Sequence, residues 1–135
     1  MTGFDYGNAR LRVRAASWLT ASGYRGLLGA SSIDGMLGSL AQQNYSEDVA
    51  AAMGRDRGVR RLDEAVRTHL SRQLADVLSF YSGGIALRLR TYVSRWDIRN
   101  VRSILRDLTR RGQQSPSIAT LVTAGAFDAP ALEEG

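Results

Sequence analysis

Apolar residues recur along this chain at spacings of three and four, the period that lines side chains up on one face of an α-helix. Leu11, Ala15, Trp18 and Leu19 keep that spacing and predict a first helix from about Asp5 to Ala21, broken by Ser22 and Gly23. A serine hydroxyl can accept from the exposed N–H groups of a first helical turn. Ser22 is therefore expected to cap a short helix with Tyr24, Leu27 and Leu28, Ser32 to cap Ile33 to Gln42, and Ser46 to cap the stretch through Met53. After a polar loop from Gly54 to Gly58 comes the longest stripe in the sequence: Leu62, Val66, Leu70, Leu74, Val77, Leu78 and Tyr81. It predicts a helix from Val59 to Ser82, ended by Gly83 and Gly84 through the positive φ of a C-terminal cap. Ile85, Leu89, Tyr92 and Val93 share a face of the next helix. Asp97 is the expected N-cap of the last, which runs to about Arg110 with Ile98, Val101, Leu105 and Leu108 turned inward, and stops at Gly112.

No stretch alternates with the period of a strand, and the two prolines, Pro116 and Pro130, lie beyond the strongest helical patterns. The expected fold is all-α: a compact bundle of about six to eight helices, short near the N-terminus, with one long central helix. At 135 residues one hydrophobic core is the working expectation. Residues 1–112 are read as a helical domain and 113–135 as an extension, where Ser, Pro and Gly around Ile118 to Val122 predict one short helix and a loose end.

The residue inventory removes much chemistry. There is no cysteine, so thiol nucleophiles, zinc thiolates and iron-sulfur ligation are excluded. All 18 basic residues are arginine, which removes lysine nucleophiles and the lysine of a phosphate-binding loop. His69 is the only histidine, and no acid stands three or four residues from it, so it reads as a partly buried or interfacial side chain rather than a metal ligand. Asp63 with Arg67, Arg72 with Asp76, and Asp107 with Arg111 sit at i, i+4, the pattern of a solvated helix face. No catalytic centre, metal site or cofactor is expected. No apolar run approaches the ~20 residues needed to cross a bilayer.

The net charge of +5 draws attention to one feature. On the helix after Asp97, the residues Arg99, Arg102, Arg106 and Arg110 recur at helical spacing and form a basic ridge suited to an anionic partner. With Arg55, Arg57, Arg60 and Arg61 in and after the loop, it supports one function class, a small basic helical nucleic-acid-binding domain. The other class, a non-catalytic interaction protein, draws on a resemblance.

The segment from Phe4 to Arg14, with Tyr6, Asn8, Ala9, Arg10 and then Arg12 or Arg14, resembles the opening of the V/A-type ATPase (ATP synthase) C/AC39 family, whose members are the C and d subunits of rotary ATPases. Tyr24, Leu27, Leu28, Ser31, Ser32, Leu40 and Tyr45 continue the likeness. A second block, Tyr92, Trp96, Asp97, Ile98, Asn100, Val101, Ile104, Leu105 and Arg106, is similar to a later family element, with Trp96 where the pattern prefers Tyr. Gly125 with Phe127 echoes a further one. Family members are more than twice this long and hold three similar helical repeats. The resemblance is to the first, implying either a fragment or a short homologue that self-associates.

The resemblance implies a funnel-shaped, non-catalytic rotor part, linking the membrane proteolipid ring to the central stalk of the D and F subunits and transmitting torque in proton or sodium transport. It implies a cytoplasmic protein, peripheral at the inner face of the cell membrane. Tyr6, Asn8, Arg10, Asp97 and Asn100 would then maintain the fold, and the arginine ridge would be the contact surface.

Overall fold

A computed structural model of the chain describes residues 3–54, 57–111 and 121–122. Among them every regular element is a helix, seven in chain order: α1 (Gly3–Ala15), α2 (Ala21–Leu28), α3 (Ile33–Ala41), α4 (Ser46–Met53), α5 (Val59–Ser79), α6 (Gly83–Val93) and α7 (Arg95–Arg111). The fold is all-α. Of the stretch after Gln113 expected to hold a short helix, only Leu121 and Val122 are described, both buried and in no helix; the boundary at residue 112, the Gly125 and Phe127 element and the side chains of Leu108 and Arg110 lie outside the described residues.

The helices sit where the periodicity puts them, but several ends differ. At the end of α1 the Ser17 hydroxyl donates to Arg14 O (2.7 Å), at the end of α5 Ser79 donates to Asp76 O (2.7 Å), and after α6 Ser94 donates to Thr91 O (2.7 Å). Each hydroxyl satisfies a carbonyl of the last turn, whose acceptors a helix end leaves open. The first helix ends at Ala15, not near Ala21, and Trp18 and Leu19 lie beyond it.

Capping also moves. Thr20, not Ser22, is the N-cap of α2: its backbone is extended and its Oγ1 accepts from Gly23 N, at 3.2 Å. Ser32 caps α3 as expected, accepting from Gly35 N at 3.0 Å. Ser46 is inside α4, whose N-cap position is Tyr45. Gly83 does have positive φ, at 57°, but it opens α6 instead of closing α5, which ended four residues earlier at Ser79. Helix α7 begins at Arg95, so Asp97 lies in its first turn rather than at the cap; there its carboxylate still faces the positive end of the helix dipole.

The chain divides into two compact units, Asn8–His69 and Met1–Gly7 with Leu70–Gly135. In the first, Leu37 and Leu40 of α3, Val49 and Ala52 of α4 and Ala65 of α5 form the buried core, flanked by Leu19, Leu27, Ile33, Tyr45 and Leu62. Ala52 and Ala65 are both 0% exposed, their small side chains fully enclosed by that packing. In the second, Val93 and Val122 pack with Leu70, Leu74, Leu78 and Trp96. Each fully buried Val or Leu stabilises by about 1.5–3 kcal/mol. At the N-terminal end of this unit, Gly7 is buried against the ring of Tyr81 so closely that a Cβ would overlap it, and Phe4 lies 6.5 Å from the same ring, centroid to centroid.

Candidate functional site

Helix α7 inverts the sequence expectation. Ile98, Val101 and Leu105 are 59%, 43% and 56% exposed, while Asp97 and Asn100 are 6% and 5% exposed. A polar face turns inward because it has a partner there. The Asn100 carboxamide receives Val122 N–H on Oδ1 at 3.1 Å and donates from Nδ2 to Val122 O at 2.9 Å, satisfying both backbone groups of a buried residue. With Val93 and Val122 in the core, this bond fixes which side of α7 is covered, and the apolar stripe is left outside.

Beside that stripe stand Arg99, Arg102 and Arg106, all exposed. No ion pair joins them to a carboxylate among the described residues. They lie three and four residues apart, where like charges repel. Arg99 packs over Trp96 at 5.0 Å, and Arg95 lies over Tyr92 at 4.1 Å while donating to its hydroxyl at 2.7 Å. The guanidinium groups at the start of α7 are thus held by aromatic faces rather than by acids.

The residues of the opening motif are dispersed along α1. Tyr6 and Arg10 are exposed and Asn8 is half-buried, and each makes interactions with its surroundings.

In the Asn8–His69 unit the structure brings together a group that sequence spacing did not reveal. Asp48 of α4 and His69 of α5 are both buried, with His69 Nδ1 2.8 Å from Asp48 Oδ2, and Tyr45 stacks on the imidazole at 3.7 Å between centroids. Burial pushes the Tyr45 phenol above its ordinary range, with Tyr24 and Asp48 adding to the shift. The histidine is therefore packed into the core with a carboxylate partner 21 residues away, an offset no helical pattern encodes. It braces α4 against α5. An apolar groove of about 230 Å³ in the same unit is lined by Leu19, Tyr24, Leu27, Met36, Leu40, Tyr45, Leu62 and Val66. Among the described residues, no group of three or more His, Asp or Glu side chains could hold a metal ion.

What these surfaces can do chemically is grip other molecules: an apolar groove on one unit, an apolar and basic helix face on the other. The family model of the ATP synthase (C/AC39) subunit matches residues 7–134. The C subunit of the A-type ATP synthase of Halobacterium salinarum is 28% identical over 131 residues, covering 97% of this chain and 37% of that protein. Its namesake from Haloferax volcanii is 25% identical over 124 residues, covering 92% and 35%, and that from Halorubrum lacusprofundi 26% identical over 126 residues, with the same coverage. The chain thus spans little more than a third of the length of these relatives. With nearly its whole length matched, it is a member of the ATP synthase (C/AC39) subunit family.

Proposed function

We propose that this chain is a non-catalytic part of the rotor of a V/A-type ATPase, joining the membrane proteolipid ring to the central stalk of the D and F subunits and carrying torque between them in proton or sodium transport. The single observation that carries this reading is the family match over residues 7–134. Torque transmission needs stiff packed helices and broad interfaces rather than a reacting group. A helical fold with the buried brace of Asp48 and His69, and with an exposed apolar and basic face on α7, supplies features of that kind.

In this reading the protein works at the cytoplasmic face of the cell membrane and is held there peripherally; no described helix is long and apolar enough to cross a membrane. The ridge of Arg99, Arg102, Arg106 and Arg110 is the contact surface. Tyr6, Asn8, Arg10, Asp97 and Asn100 maintain the fold.

Affinity purification of the tagged chain from its host, in mild detergent and low salt, tests the proposal. Recovery of the D and F subunits with the proteolipid supports it. Recovery of nucleic acid instead, with retention on DNA that falls steeply with salt, replaces it with the nucleic-acid-binding reading.

A further inference from the structure

We infer that the exposed face of α7 is a docking surface for an acidic amphipathic helix, whose apolar stripe packs on Ile98, Val101 and Leu105 and whose carboxylates pair with Arg99, Arg102 and Arg106. At about 100° of turn per residue, the three apolar positions fall within a stripe about 60° wide and the three arginines within an adjoining stripe of similar width. Going around the helix, the buried face with Asp97 and Asn100 comes first, the apolar stripe second and the arginines third. The exposed apolar surface is therefore bounded by the protein body on one side and by positive charge on the other. From Ile98 to Arg106 it runs about 12 Å, or two helical turns.

Charge complementarity selects the occupant. The arginines lie at mutually repulsive spacings with no carboxylate paired to them among the described residues, so a column of Glu or Asp relieves a repulsion already present in the free protein. A nucleic acid would pair with the arginines but leave Ile98, Val101 and Leu105 in water, and the nearby rings of Tyr92 and Trp96 already carry the guanidinium groups of Arg95 and Arg99 on their faces. A membrane surface suits the stripe poorly. A helix lying in the interface has its apolar face outermost, with basic residues snorkelling on both flanks, whereas here one flank is the protein's own body. A second copy of this chain brings net charge +5 to a positive face. A partner helix with apolar residues at i, i+3 and i+7 and an acidic column beside them fits both stripes at once. The assignment deepens the rotary reading, which uses the same arginines as its contact surface, and its peptide test can fail while recovery of the D and F subunits succeeds.

The test uses the full chain and a labelled synthetic helical peptide carrying Leu at i, i+3 and i+7 with an adjoining column of Glu, followed by fluorescence anisotropy. A twin peptide with Lys in place of Glu, anionic phosphatidylglycerol vesicles and a DNA duplex are run in parallel. The Glu peptide binds. The paired change Arg102→Glu with Arg106→Glu weakens it about tenfold or more and confers binding of the Lys peptide, and Ile98→Ala with Leu105→Ala weakens it by a similar factor. These positions are exposed, so circular dichroism and melting stay close to those of the parent chain. Equal binding of the Glu and Lys peptides, indifference to the arginine reversals, or preferential binding of vesicles or duplex would overturn the assignment.

Discussion

The carboxamide of Asn100 grips the backbone of Val122 with both its oxygen, which accepts from the N–H, and its nitrogen, which donates to the carbonyl. Two buried backbone groups depend on that one side chain, so Asn100→Ala leaves both without it and costs about 1–3 kcal/mol for the orphaned polar groups. Asn100→Asp keeps the acceptor but sets a carboxylate oxygen against Val122 O, and it destabilises at least as much. Urea unfolding of the three proteins checks both; parent-like stability of Asn100→Ala contradicts the role assigned to this pair.

Gly7 and Tyr81 give a prediction that changes sign. Alanine gains about 1 kcal/mol of helix propensity over glycine, but forcing a methyl into an aromatic ring costs about 1–3 kcal/mol. Gly7→Ala alone is therefore expected to lower the melting temperature, since its Cβ would overlap the Tyr81 ring. In a Tyr81→Ala background the obstacle is gone and the same substitution raises it. A thermal-melting cycle over the four proteins reads both signs.

The helical class and the central helix were legible because their signal is local and periodic, and Ser32 because a cap needs only its own first turn. The covered face of α7 was not. Its apolar stripe, Ile98, Val101 and Leu105, has the spacing of a core face, yet Asn100 bonds a residue 22 positions on and turns the polar side inward. The brace of Asp48 and His69 was hidden in the same way, by a separation unrelated to helix period. Gly7 did leave a trace: a glycine inside an otherwise good helix costs stability and so marks a place where something approaches closely. The basic ridge was legible as residues, but the apolar stripe beside it gained meaning as a surface only once its exposure was known.

The buried pair of Asp48 and His69 is a stability element. His69→Ala or Asp48→Asn should each cost about 1–3 kcal/mol through the lost hydrogen bond and the buried group left behind. Because the two side chains act through each other, the double variant is less destabilised than the sum of the singles. Denaturant titrations in a double-mutant cycle measure the coupling. Strict additivity would show that the bond contributes nothing.

Tyr45 makes stability sensitive to alkali. Its phenol is held above the ordinary value of 10.0 by burial first, then by Tyr24 and Asp48. The folded protein therefore keeps this proton more tightly than the unfolded chain. The associated stability is fully present below the unfolded value and is lost as pH rises through the folded one. Tyr45→Phe should flatten the fall in melting temperature above about pH 10 relative to the parent chain. An unchanged alkaline profile would remove Tyr45 as its source.

In the proposed role this chain grips the stalk of a rotary ATPase through a helical surface. Isothermal titration of the purified chain with the purified subcomplex of the D and F subunits measures that most directly. Saturable binding that weakens on reversing Arg99 and Arg102 to Glu, with helicity unchanged, is the predicted result. The absence of binding at concentrations well above micromolar would contradict it.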